Sequence, residues 1–259
     1  MRVKSLKIFV QVLVFGLLLL GASSTAYADA VVITTFNFGL QVTPSVGTVE
    51  FTPTGATARA VATNSLGENL DIFSNTFPLA QANALLTFAS SSATANATNQ
   101  TASVTSFVNV GGCTCTASAF AIATFTTTFV VQGGTGNVDI NIQPMPFATG
   151  QVMTDQFGTF AFASISWTLT LNGVPVFFTD EMLREVEGPN QTGGFQLTPG
   201  LLSRVFTVQH GVPNTIGVTI IGVAAGTNEV PEPATVVLLV SGLGLMTGVL
   251  KKRRNTTDR

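Results

Sequence analysis

The chain has 259 residues, enough for one large domain or two small ones, and is 46% hydrophobic but only 9% charged. With both apolar ends set aside, the stretch 29–226 holds no lysine, three basic residues (Arg59, Arg184, Arg204) and ten acidic ones, a formal net charge of −7. Such a surface repels phosphate and anionic lipid, whose binding relies on Lys and Arg contacts, and this argues against a nucleic-acid partner.

The first element is a targeting segment. Arg2, Lys4 and Lys7 precede an apolar run from Ile8 to Leu20, and the small-x-small sequence Ala26-Tyr27-Ala28 follows. This is the layout of a secretory signal peptide over residues 1–28, with cleavage after Ala28, and a second frame, Ala28-Asp29-Ala30, allows cleavage two residues later. The run is short for a spanning helix. Its partners are the Sec translocon and signal peptidase.

The body, 29–226, reads as all-β. Short runs of Val, Ile, Phe and Thr are separated by Gly, Pro, Asn and Ser. Strands are expected over 31–38, 47–52, 56–63, 84–89, 101–110, 117–131, 137–142, 158–171, 174–179, 201–209 and 215–224. Alternation within them places one side of each strand in a core and hydroxyls on the other. In 118–125 the large residues Phe120 and Ile122 mark the apolar side, and Trp167 shares one with Ile165 and Leu169. The Phe residues read as core. Asn172-Gly173 between two strands is a strong hairpin signal. A short helix is expected over 179–187, capped by Thr179 and ended by Gly188-Pro189. The low-complexity stretch 90–101 reads as a loop or polar edge strand, and 186–200 as a connection. The economical architecture is one β-sandwich or jelly-roll-like body, with a signal-peptide helix before it and a transmembrane helix after it.

Candidate chemistry in the body is sparse. Cys113 and Cys115 are the only cysteines, and an oxidising compartment permits oxidation. A strained C-x-C disulfide, an intermolecular bridge and two free thiols all fit. Two cysteines and the one histidine, His210, do not make a zinc site. Asp180, Glu181, Glu185 and Glu187 match no EF-hand spacing and read as a solvated face. Asp139 and Asn141 are weak calcium or sugar contacts. No catalytic residue, metal site or cofactor is assigned, and no motif marks an enzyme. Threonine-rich strands such as 124–128 could present a flat hydroxyl array to ice, although no fixed repeat period is visible.

The last element starts after a short linker from 227. Val230-Pro231-Glu232-Pro233 precedes the uncharged stretch 234–250, a transmembrane helix of minimal length, and Lys251-Lys252-Arg253-Arg254 follows it. The basic cluster stays on the cytoplasmic side and leaves the body outside. This order of Pro-Glu-Pro, short apolar helix and terminal basic cluster resembles the PEP-CTERM sorting signal. The resemblance covers residues 230–253. It implies an exosortase, a membrane-embedded transpeptidase-like cysteine protease, as processing partner, with cleavage at or near Pro231-Glu232-Pro233. It implies a Gram-negative bacterium that makes exopolysaccharide, and delivery from the inner membrane to the envelope, cell surface or biofilm matrix. The same tail ends some ice-binding proteins. The function expected is a non-enzymatic structural or adhesive role beside exopolysaccharide. The alternatives are a carbohydrate- or ice-binding module and, last, a secreted hydrolase.

Overall fold

The computed structural model describes residues 30–111, 114–155, 159–179, 182–198 and 202–228. They fall within one unit, Ala28–Glu229. Both ends fall outside them, and with them Ala26, Ala28, Val230, Pro231, Glu232, Pro233, Lys251, Lys252, Arg253 and Arg254. Among the described residues no helix is long and apolar enough to cross a membrane.

The described chain is all-β. Fourteen strands form two seven-stranded antiparallel sheets, and no helix occurs among the described residues. Sheet A contains β1 (Ala30–Pro44), β4 (Leu79–Leu85), β5 (Ala89–Asn96), β6 (Thr101–Asn109), β8 (Asn137–Thr154), β12 (Gln191–Leu197) and β13 (Arg204–Gln209). Its order is β12-β8-β1-β6-β5-β4, with β13 also on β8. Sheet B contains β2 (Thr48–Asn64), β3 (Asn69–Ser74), β7 (Thr116–Gln132), β9 (Thr159–Leu171), β10 (Val174–Phe178), β11 (Met182–Glu187) and β14 (Asn214–Asn228). Its order is β10-β9-β14-β7-β2-β3, with β11 also on β9.

The two sheets pack face to face over a shared core. Phe38 of β1 lies 5.4 Å from Trp167 of β9 and 6.3 Å from Phe125 of β7, ring centre to ring centre. Trp167 is buried beside Ile165 and Leu169, as the alternation predicts. Toward β4, β5, β2 and β7 the inward positions are alanines: 80, 82 and 84, then 93 and 95, then 58, 60 and 62, then 117, 119, 121 and 123. Small side chains let the sheets come close enough for Ser91 Oγ of β5 to donate to the Val61 carbonyl of β2 at 2.9 Å.

This alanine layer overturns the expected orientation of β7. Phe120 and Ile122 lie on the outer side, half-buried, and Ala119, Ala121 and Ala123 fill the core. Phe160 and Phe162 face outward in the same way. Phe73, Phe77, Phe147 and Phe178 are exposed, so the phenylalanines are only partly core. Phe36, Phe38, Phe125 and Phe129 are the buried ones.

Other departures have local causes. The stretch 90–101 is no edge, because β5 lies between β4 and β6 and alternates Ala or Ser inward with Ser, Thr or Asn outward. Its turn is built by Asn96, whose Oδ1 accepts from the backbone N–H of Thr98 and Asn99. Residues 86–88 form the β4–β5 turn where a strand over 84–89 is expected. The strands over 47–52 and 56–63 are one, β2, which keeps its continuity by a register shift between Pro53 and Gly55.

Strand β8 runs past Ile142 through Pro144 and Pro146. Its outer flank is served by β13 up to Ile142 and by β12 from Ala148, so both prolines fall in a window where no second neighbour needs an N–H. The helix expected over 179–187 is replaced at Met182–Glu187 by β11, which pairs with β9. Local capping signals lose there to an open sheet edge, and Asp180 and Glu181 lie outside the described residues. The connection expected over 186–200 contains β12. Strand β14 runs on through Thr227 to a buried Asn228, so those two residues belong to the sheet and not to a linker. The Asn172-Gly173 hairpin forms as expected, with φ of 52° and 81°. Asn172 Oδ1 accepts from the Thr215 N–H at 2.8 Å and its Nδ2 donates to Asn214 at 2.9 Å.

Candidate functional site

The register of sheet A determines which outward side chains stand side by side. One rung reads Asn83, Ser92, Thr105, Thr35, Thr149, Gln196 across β4, β5, β6, β1, β8 and β12. The next reads Gln81, Thr94, Ser103, Asn37, Phe147. Adjacent strands lie about 4.8 Å apart, so the first rung is a continuous row of amides and hydroxyls, and the second is one from β4 to β1 and ends on the Phe147 ring. Across this outer face there is no basic side chain among the described residues. Its one acid is Asp139, near the far end of β8, where the Thr207 hydroxyl donates to it at 2.7 Å.

At one end the face dips into a cleft of about 580 Å³ between β1, β8 and β12. Gly194, opposite Gln151, offers no side chain, and this opens the cleft between Thr192 and Gln196. Val31, Ile33 and Met153 supply an apolar wall, and Thr149, Gln151 and Gln196 supply polar groups. Beneath it the Phe195 ring occupies the space that a Cβ on Gly150 would need. A side chain at 150 would displace that ring, and one at Gly194 would meet the Gly150 carbonyl itself.

The outer side of sheet B differs. Thr57, Thr124, Thr219 and Thr168 form one rung across β2, β7, β14 and β9. Two residues along, Thr126 and Thr170 alternate with Gly55 and Gly217, and Thr52, Thr128 and Thr215 follow. The hydroxyls of Thr124 and Thr219 are hydrogen-bonded at 3.2 Å. Any side chain on Gly217 would strike the Thr170 hydroxyl, which donates to the Gly217 carbonyl. Toward the other end the same side carries larger apolar residues, with Val61, Phe120 and Val223 in one rung and Ile122 and Ile221 in the next, bordered by Arg59 of β2 and Asp71 of β3.

The residues singled out in the sequence scatter. Cys115 is buried and disulfide-bonded, and Cys113 lies outside the described residues. Asp139 and His210 both line a second cleft of about 500 Å³, with Thr135 and Thr207. No group of three potential metal ligands occurs among the described residues. Glu185 and Glu187 are exposed on β11, away from Asp139 on the other sheet. Arg59 and Asp71 form a bidentate pair at 3.0 and 2.6 Å. The hydrogen bond from Arg59 holds the Asp71 carboxyl below the usual carboxylate range. Sequence reading missed both sets of rungs, because they join residues from different strands, several of them far apart in the chain. The signal available to it was the alternation within single strands.

No protein-family model matches the chain. A search of curated proteins returns no match. Among solved structures, KdgF from Halomonas sp. is 8% identical with a TM-score of 0.09, over 41% of this chain and 81% of that one. A likeness at that level carries no argument about fold or function.

Proposed function

We propose that this chain is an exported, non-enzymatic matrix protein, a β-sandwich that lies against neutral exopolysaccharide in a structural or adhesive role. The observation that carries the reading is the outer face of sheet A. Six strands there present amides and hydroxyls with no basic group, beside a cleft with one apolar wall. Neutral sugars offer hydroxyls to such groups and apolar C–H surfaces to residues like Ile33 and Met153. Export and anchoring rest on the two ends. The signal peptide delivers the body, and an exosortase processes the tail at Pro231-Glu232-Pro233. Affinity electrophoresis through gels containing dextran, pullulan or soluble cellulose derivatives tests the face. Retardation by at least one polymer, reduced in a Thr149→Lys/Gln196→Lys variant, is expected; unaltered mobility in all of them counts against it. Replacing Pro231 and Pro233 with alanine in the native host should leave unprocessed precursor in the inner membrane, and normal processing would refute exosortase recognition.

The threonine lattice of sheet B supports a second reading, an ice-binding surface. Rows about 4.8 Å apart across strands and about 6.8 Å along them form a two-dimensional hydroxyl array without any repeat in the sequence. Ice-recrystallisation assays separate the two. Inhibition abolished by Thr124→Lys, with polymer binding intact, would favour ice.

A further inference from the structure

The two ends of sheet A are guarded differently. At the other end the edge strand β13 carries Arg204, and β12, itself uncharged, has the Arg184 side chain of β11 lying against its Gly193. Charges, proline and bulges are the usual means by which proteins block pairing at a sheet edge. Strand β4 has none of them: it reads Leu-Ala-Gln-Ala-Asn-Ala-Leu, seven residues without charge, proline or bulge.

Its hydrogen-bonding pattern shows which groups are open. The Ala97 N–H donates to the Pro78 carbonyl and the Leu86 N–H to the Ala89 carbonyl, bracketing the β4–β5 register. Bonded pairs in an antiparallel ladder recur at every second residue, so Ala80, Ala82 and Ala84 bond inward to β5. The N–H and C=O groups of Leu79, Gln81, Asn83 and Leu85 then point away from the sheet. All four residues are exposed, Leu85 by 76%.

The strand is also nearly the same read backward. Turned about Ala82, it sets Leu79 against Leu85, Gln81 against Asn83, and alanine against alanine. The residues brought opposite in this way, 79 with 85 and 81 with 83, are the ones whose backbone groups are open. We propose that β4 pairs antiparallel with β4 of a second copy of this chain about a two-fold axis at Ala82, joining the two A sheets edge to edge. Four bonded residue pairs close the seam, and the Gln81 and Asn83 amides meet on the outer face. Such an interface is isologous, so it stops at two copies. The pairing holds whether or not the face binds polysaccharide, and it would double the length of the uncharged rungs.

The full-length chain in mild detergent, followed by sedimentation over a concentration series, tests this. The wild type should form dimers. Gln81→Pro removes one outward N–H and no bond to β5, and should weaken self-association roughly tenfold or more. If that variant misfolds, charge variants decide. Gln81→Lys/Asn83→Lys and Gln81→Glu/Asn83→Glu place like charges opposite each other at the seam, and each alone should be monomeric. Mixed, they should form heterodimers that weaken with salt. A monomeric wild type, or charge variants that still dimerise alone, would overturn the proposal.

Discussion

Around Phe38, Trp167, Phe125 and Ile220 the two sheets are separated by rings and branched aliphatic chains. Between β4 and β5 on one side and β2 and β7 on the other, the facing side chains are alanines, all 5% exposed or less. Both regions are buried, but their tolerances are opposite. The aromatic half gains its stability from large buried area and loses it when atoms are removed. The alanine half has little area per residue and no room for more. It relies on close backbone approach, on the Ser91–Val61 bond, and at its border on Ser106 Oγ donating to the Gly222 carbonyl at 3.0 Å.

The contrast can be broken most severely at its aromatic end. Trp167→Ala should cost about 3–5 kcal/mol, read from the denaturant midpoint. Trp167→Phe should cost much less, because the indole N–H is buried without a hydrogen-bond partner among the described residues. In the alanine half the sign with size reverses. Ala60→Leu should destabilise by about 1–3 kcal/mol through overpacking, although it adds apolar area. A stabilised Ala60→Leu variant would mean that the sheets are not in close contact there. At the border, Ser106→Ala should cost about 1 kcal/mol and leave the Gly222 carbonyl with one partner fewer. The smallest effect belongs outside both cores. Arg59 and Asp71 are exposed and screened by water. Asp71 has its folded pKa depressed by the Arg59 hydrogen bond, so the pair's contribution is present above the ordinary carboxylate range. It fades as pH falls through the lowered value. Comparing Asp71→Asn with wild type at neutral pH and in acid should show a small difference that vanishes in acid.

These halves also explain which strands could be read in advance. Strands β1, β6, β7, β9 and β14 were legible because β-branched and aromatic residues alternate within them. The alanine strands β4 and β5 were not, since Ala, Ser, Asn and Gln carry weak strand propensity, and the same composition suits a loop. Phase was misread in β7 for a related reason. Hydrophobicity alone assigns Phe120 to the core, yet a core faced by alanines has no volume for it. Strands β11 and β12 were hidden under turn and helix-cap residues, and pairing with β9 and β8 overrode those local preferences.

What the chain's own order of residues determined was the strand-forming alternation, the Asn172-Gly173 turn, a body nearly free of positive charge and two apolar ends with the pattern of addresses. Each is a property of neighbours in sequence, where side-chain size, backbone freedom and charge act over a few residues. The rungs of amides and threonines, the cleft opened by Gly194 and the bare edge of β4 were decided only by tertiary structure. They depend on which strand lies beside which and in what register, and those pairings join residues from nine positions apart, as Asn83 and Ser92, to more than a hundred, as Thr35 and Thr149. No local preference encodes them. They follow from the one arrangement in which rings meet rings and alanines meet alanines across the core.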